Sequence, residues 1–371
     1  MDRHPPSGRT RTRLLMALTV ALSLVVGLTA AEGILRWQRS QIEHSDHMDP
    51  GLVRYDPLLG WRLTPGWEGE HRHHDFRVRY RINDDGFRGL GLPAPGEAVT
   101  LLGDSFTFGL GVDEGETFAD RLNADLPRTR FFNRGVPGYS TDQERLLLDE
   151  LPAELRRRVL LVVYLGNDLI DNLRTYPLQA DQAKPRFVLR DGRLRLEGIP
   201  VPRAPKPAAA RRESLATLVL GPDAPRAGWL GRLELSRRLG LFQVRVELDE
   251  ATLAQRLAPS LTLFRALVAD MRRALAREGG HLAVALLSGR SHVEEPGSAS
   301  AQYQDFLRRA LRADLADLGL PVVDLTGALR DHAQRTGEAL YHPFEGHLNR
   351  AGHRQVAAHL SKALADWGWL R

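Results

Sequence analysis

Cysteine is absent from this chain. That excludes disulfides, thiolate metal sites, a cysteine nucleophile and the lipid-modified cysteine of a bacterial lipoprotein. It leaves the compartment open, because exported proteins can do without disulfides. Nucleotide-cradling glycine patterns are missing too: "FGLGVDEG" (108–115) has neither the G-x-G-x-x-G nor the P-loop spacing. The G-x-S-x-G elbow is also lacking, since "GRSHV" (289–293) has no closing glycine. A net charge of +5 is modest for 371 residues, and the arginines are dispersed without interleaved aromatics. This argues against nucleic acid as a partner. Metal-ligand spacing is not found. The adjacent polar residues of "HRHH" (71–74) cannot all point to one ion and are expected in a solvated loop. His342, His347 and His353 do not follow a zinc helix motif. No metal and no cofactor are expected.

One long apolar run is present. Leu14 to Ala31 is 18 residues without a charge, preceded by Arg9, Arg11 and Arg13 and, further out, by Arg3. This is about the length that crosses a bilayer core, and the basic flank belongs on the cytoplasmic side. We read residues 1–13 as a cytoplasmic tail and 14–35 as a transmembrane anchor, with the rest of the chain outside the cytoplasm. Small residues at Thr29-Ala30-Ala31 keep a cleaved signal peptide open as the rival.

Residues 36–97 are polar and rich in Gly, Pro and Trp, and predict a lead-in of short strands and loops. The alternation of Phe76, Val78 and Tyr80 fits a half-buried strand. From 98 to 371 strand-like and helix-like segments alternate. Strands are expected at 98–102, 130–135, 159–165, 282–287 and 321–325. Helices are expected at 117–126, from Ser140, and at 261–280, 301–319 and 349–367, the last capped by Asn349. Ser140 with Gln143 reads as a capping box. Residues of about 171–235, rich in Pro, Ala, Gly and Arg, read as a partly loop-like insertion. Alternation of this kind predicts an α/β fold, a three-layer doubly wound parallel sheet of flavodoxin-like order. Its site would lie beyond the carboxyl ends of the strands.

Candidate chemistry falls at those ends. "GDS" places Ser105 after the first strand, "NRGVPG" runs from Asn133 to Gly138 after the second, and "GND" places Asn167 after the third. "YHPFEGHLNRAGH" (341–353) precedes the last helix. Gly138 alone could be a turn glycine and Asn167 alone a cap residue. As an ordered set these blocks resemble the SGNH (GDSL-like) hydrolase superfamily over roughly residues 98–365. With the hydrophobic N-terminus and the "GFRG" lead-in, the chain also resembles bacterial envelope members linked to polysaccharide acylation.

The resemblance implies Ser105 as nucleophile and His347 as general base. It implies an oxyanion hole from the Ser105 and Gly138 backbone N–H groups and the Asn167 side chain. Asp104 would organise the nucleophile turn through hydrogen bonds. The chain departs from the family pattern at one point. Many members carry Asp two or three residues before the histidine, where this chain has Phe344 and Glu345. Glu345 is the nearest acid that could orient His347, and a backbone carbonyl is the alternative. The function expected is a serine esterase or O-acyltransferase of the inner membrane, facing the periplasm and acting on acylated envelope carbohydrate. An SGNH-fold carbohydrate-binding or assembly protein that lost activity is the alternative.

Overall fold

The computed structural model describes residues 8–92, 97–221, 228–242 and 246–370. Arg3 of the basic tail and residues 222–227 of the insertion lie outside the described residues. The chain divides into two compact units, one of Met1–Asp46 with Pro225–Arg245 and one of His47–Ala224 with Val246–Arg371.

In the first unit a single helix, Gly8–Glu43, carries the apolar run. Leu14, Leu18, Leu22 and Val25 are each more than half exposed. Its length and apolar character are enough to cross a membrane.

The second unit opens with the lead-in strands β1 (His47–Met48), β2 (Val53–Asp56), β3 (Gly60–Leu63), β4 (Glu68–His73) and β5 (Phe76–Arg81). They pair as two small antiparallel sheets, β2 with β3 and β1-β4-β5. In β5, Val78 and Tyr80 are buried while Arg77, Arg79 and Arg81 face out, as period-2 alternation requires. "HRHH" corrects our reading: it lies mostly within β4 rather than in a solvated loop. His71 is buried there, with Nδ1 2.9 Å from the Tyr80 hydroxyl.

The main sheet comprises β6 (Glu97–Gly103), β7 (Thr129–Gly135), β8 (Arg158–Tyr164), β11 (His281–Leu287) and β12 (Val322–Asp324); the hairpin β9–β10 (Arg186–Arg190, Arg193–Glu197) stands apart. The order is β7-β6-β8-β11-β12 and every pairing is parallel. Numbered along the chain these five strands run 2-1-3-4-5, the flavodoxin-like order. Alternate residues feed two cores. Leu102, Leu161 and Val284 join Phe264 and Val268 of the Glu250–Ala276 helix. Val99, Leu160 and Ala283 join Leu360 and Leu364 of the Arg350–Asp366 helix. A strand covered on both faces must be apolar throughout, which is why β8 reads as an unbroken run.

Three details differ from expectation. Ser140 caps no N–H with its side chain, and the Gln143 amide donates to the Leu59 carbonyl 2.7 Å away, so the capping box is not formed. The 261–280 helix instead spans Glu250–Ala276, capped by Asp249, and contains Pro259. The insertion holds the β9–β10 hairpin and sends Lys184 into the core, where it is fully buried against Asp142.

Candidate active site

The carboxyl end of β6 is shaped so that a turn can lie flat across the sheet. A Cβ on Gly103 would come within 2.1 Å of Thr107 Oγ1, and one on Gly135 at the end of β7 within 2.2 Å of the Phe108 nitrogen. Only glycine permits this approach. The turn Ser105–Phe108 is capped by Asp104, whose Oδ1 accepts from the Phe106 N–H at 2.9 Å. Asn133 braces it from β7. Its Nδ2 donates to the Thr107 carbonyl at 2.8 Å, and its Oδ1 accepts from the Gly135 N–H at 2.9 Å.

His347 arrives on a tight loop closed by a bridge between Tyr341 and Leu348 and by the His342 N–H donating to the His347 carbonyl at 2.8 Å. Its Nε2 lies 2.7 Å from Ser105 Oγ, and its Nδ1 lies 2.6 Å from Glu345 Oε1. The other carboxylate oxygen, Oε2, accepts from the His347 backbone N–H at 2.9 Å. Burial works against the Glu345 charge. The hydrogen bond and charge pairing with His347 outweigh it, so its pKa falls below the usual range. An ionised carboxylate only accepts, so Nδ1 carries the proton and Nε2 is left to accept from the Ser105 hydroxyl. The imidazole rests on the Phe106 ring, centroids 4.4 Å apart, and Phe106 stacks on Tyr164 at 4.1 Å.

Gly138 follows β7 and Asn167 follows β8, the two neighbours of β6 in the sheet. Gly138 takes φ of +80°, a region that favours glycine. Asn167 Nδ2 donates to Asp171 Oδ2 at 2.6 Å, which fixes the amide plane and leaves its second N–H to point elsewhere.

Sequence reasoning passed over two supports. Asp171 stands four residues after Asn167, a spacing that could have revealed it. Asp75, in the turn between β4 and β5, had no such signal. Its Oδ2 accepts the backbone N–H groups of both Phe344 and Glu345, each at 2.8 Å, across some 270 residues of chain. Beneath the nucleophile turn lie three buried carboxyls, Asp104, Glu144 and Asp168. Burial pushes Asp104 up to about 6, with the His347 charge opposing. Burial and mutual repulsion push Glu144 and Asp168 well above the usual carboxylate range. Both Glu144 carboxyl oxygens have no hydrogen-bond partner. No cluster of His, Asp or Glu able to hold a metal occurs among the described residues.

This arrangement can deliver an alkoxide to an acyl carbon and receive its proton on His347. The profile of the GDSL-like Lipase/Acylhydrolase family matches residues 101–355. The chain belongs to that family. As a GDSL-like hydrolase it is an enzyme of esterase and acyltransferase character. No curated protein compared with it matches. Among solved structures, a lipolytic protein of the G-D-S-L family from Veillonella parvula is 14% identical. The alignment covers 71% of this chain and 96% of that one, with a TM-score of 0.38. LAE5, an alpha/beta hydrolase enzyme from the metagenome of Lake Arreo, is 14% identical over 74% and 97%, with a TM-score of 0.41. A catalytic mutant of Axe2, an acetylxylan esterase from Geobacillus stearothermophilus, is 11% identical over 73% and 95%, with a TM-score of 0.40.

Proposed function

We propose that this GDSL-like hydrolase is a membrane-anchored serine esterase or O-acyltransferase that acts on acylated carbohydrate of the cell envelope, with Ser105 as nucleophile. The observation that carries the reading is the chain of contacts from Ser105 Oγ to His347 Nε2 and from His347 Nδ1 to Glu345. Ser105 attacks the ester carbonyl as His347 takes its proton. The Ser105 and Gly138 N–H groups and the Asn167 amide receive the charge on the carbonyl oxygen. His347 then gives the proton to the leaving alcohol, and an acyl group remains on Ser105. Water or a sugar hydroxyl next loses a proton to His347 and attacks the acyl-enzyme, which returns Ser105 to its starting state. Glu345 holds the imidazole in the required tautomer and stabilises the imidazolium. Asp104 acts on the turn that carries Ser105.

The anchor part of the reading is supported by the exposed apolar run of the Gly8–Glu43 helix and by Arg9, Arg11 and Arg13 in its first turns. The carbohydrate part is supported only by the resemblance of anchor and lead-in to envelope members. The inactive carbohydrate-binding alternative rested on the Glu345 departure, and the contact of Glu345 with His347 at 2.6 Å favours the active reading. Full-length protein in detergent, given an acetylated ester with and without a carbohydrate acceptor, tests the reading. Acetate release alone marks an esterase, and acetylated acceptor marks a transferase. Neither product from either mixture would contradict both activities.

A further inference from the structure

In the first unit, residues 228–242 pack on the C-terminal part of the N-terminal helix through polar contacts. Glu32 is the first charge after the 18-residue apolar run. Its carboxylate accepts the backbone N–H groups of Glu234 and Leu235 at 3.1 and 3.0 Å. Arg39 pairs with Glu234 at 2.7 Å, and Arg238 reaches Gln38 at 3.3 Å. An acidic residue directly after a spanning run is thereby used to cap a short segment that returns to the same helix.

The opposite character marks what this segment shows to its surroundings. Trp229 is 73% exposed, Phe242 61% and Leu239 60%. Trp37, five residues after Glu32 on the helix, is 63% exposed. Several large apolar side chains exposed in one short segment, and on the helix it packs against, mark an interaction surface. Beside Leu239 stand the exposed Arg237, paired with Glu234 at 2.9 Å, and Arg238. At about 1.5 Å per residue, 18 residues span about 27 Å, close to the thickness of a bilayer core. With Leu14–Ala31 in the core, Glu32 and Trp37 fall in the headgroup layer. The residues hydrogen-bonded to Glu32 lie at the same depth. Tryptophan, aliphatic side chains and arginine together are the composition that this layer favours.

We propose that residues 228–242 form an interfacial element that lies in the headgroup layer of the bilayer, with Trp229, Leu239 and Phe242 toward the acyl chains and Arg237 and Arg238 toward anionic phosphates. The proposal rests on the anchor reading above and extends it from one contact with the membrane to two. It also accounts for Glu32, which fixes the element where the helix leaves the core.

A chain without cysteine allows a direct test. Leu22→Cys, Leu239→Cys and Phe242→Cys are introduced singly into the full-length protein. Each is spin-labelled and reconstituted in phosphatidylethanolamine–phosphatidylglycerol vesicles. Accessibility to oxygen, which concentrates in lipid, is compared with accessibility to a water-soluble nickel chelate. All three labels should favour oxygen, most strongly at position 22. A lipid-buried label at 22 with labels at 239 and 242 open to the nickel chelate would overturn the interfacial element and leave the anchor standing. A label at 22 open to the chelate would overturn the anchor, and the element with it. Spin–spin broadening at 239 or 242 that disappears on dilution with unlabelled protein would show that a second copy covers the patch, which also overturns the proposal.

Discussion

Glu345 stands two residues before His347, and the loop that joins them turns through Gly346 at φ of +93°. Through that turn the Glu345 carboxylate meets His347 Nδ1 at 2.6 Å. Asp75 holds that turn from outside through the Phe344 and Glu345 N–H groups. A misplacement of about 1 Å can cost on the order of 10²-fold in rate. Asp75→Ala should therefore lower kcat by up to about that factor with KM little changed. Asp75→Asn, which keeps an acceptor oxygen, should recover much of the loss. Because Asp75 acts through Glu345, adding Asp75→Ala to Glu345→Gln should cost little more, a non-additivity that a double-mutant cycle on ester turnover reads directly. Full additivity would mean that Asp75 serves the fold and not the carboxylate. Asn167 is tested separately. Removing one oxyanion donor costs about 10²–10³-fold in kcat, so Asn167→Ala should fall in that range in steady-state assays. A variant at wild-type turnover would remove Asn167 from the site.

The strands and the motifs at their ends were readable because each is local. An apolar run between turn residues predicts β6 or β8 whatever lies elsewhere, and the motifs holding Ser105, Gly138 and Asn167 follow those runs, their roles coming from the family resemblance. The last helix was readable from Asn349, whose Oδ1 accepts from the Ala351 and Gly352 N–H groups. What escaped depends on distant partners. Ser140 and Gln143 have the letters of a capping box, but the buried Gln143 amide donates to the Leu59 carbonyl instead. Pro259 interrupts the helical pattern before residue 261, yet the Glu250–Ala276 helix runs through it. Composition marked the insertion as loop-like and could not show that Lys184 enters the core. Lys184 and Asp142 are both fully buried, and burial raises the Asp142 pKa even against the lysine charge. Breaking a buried pair leaves an unpaired charge and costs about 3–5 kcal/mol. Lys184→Met should destabilise the protein by that amount in urea denaturation, and Asp142→Asn on top of it should restore part of the loss. A loss below about 1 kcal/mol for the single variant would show that the pair contributes little to holding the insertion.

For the molecule as a whole, the buried carboxyls under the nucleophile turn make stability depend on pH in an unusual direction. A free glutamate titrates near 4.3, whereas folded Glu144 is held well above its ordinary value by burial and by Asp104 and Asp142. The folded state therefore binds more protons than the unfolded state over that interval. The Glu144 contribution is full below the unfolded pKa and is lost as pH rises toward the folded one. Several histidines with lowered pKa, His292 and His353 among them, act in the opposite sense, so the difference between variant and wild type is the quantity to follow. Glu144→Gln should gain stability relative to wild type between pH 5 and pH 8 in parallel denaturation series; a gap that stays constant or closes would contradict the burial account. The central claim is that the GDSL-like fold presents Ser105 as an acyl-accepting nucleophile activated by His347 and Glu345. Intact-protein and peptide mass spectrometry of full-length enzyme treated with a fluorophosphonate tests it most directly. We expect one phosphonyl adduct, on Ser105, strongly slowed in Glu345→Gln and absent in Ser105→Ala. An adduct on another residue, or an unmodified wild-type enzyme, would contradict the claim.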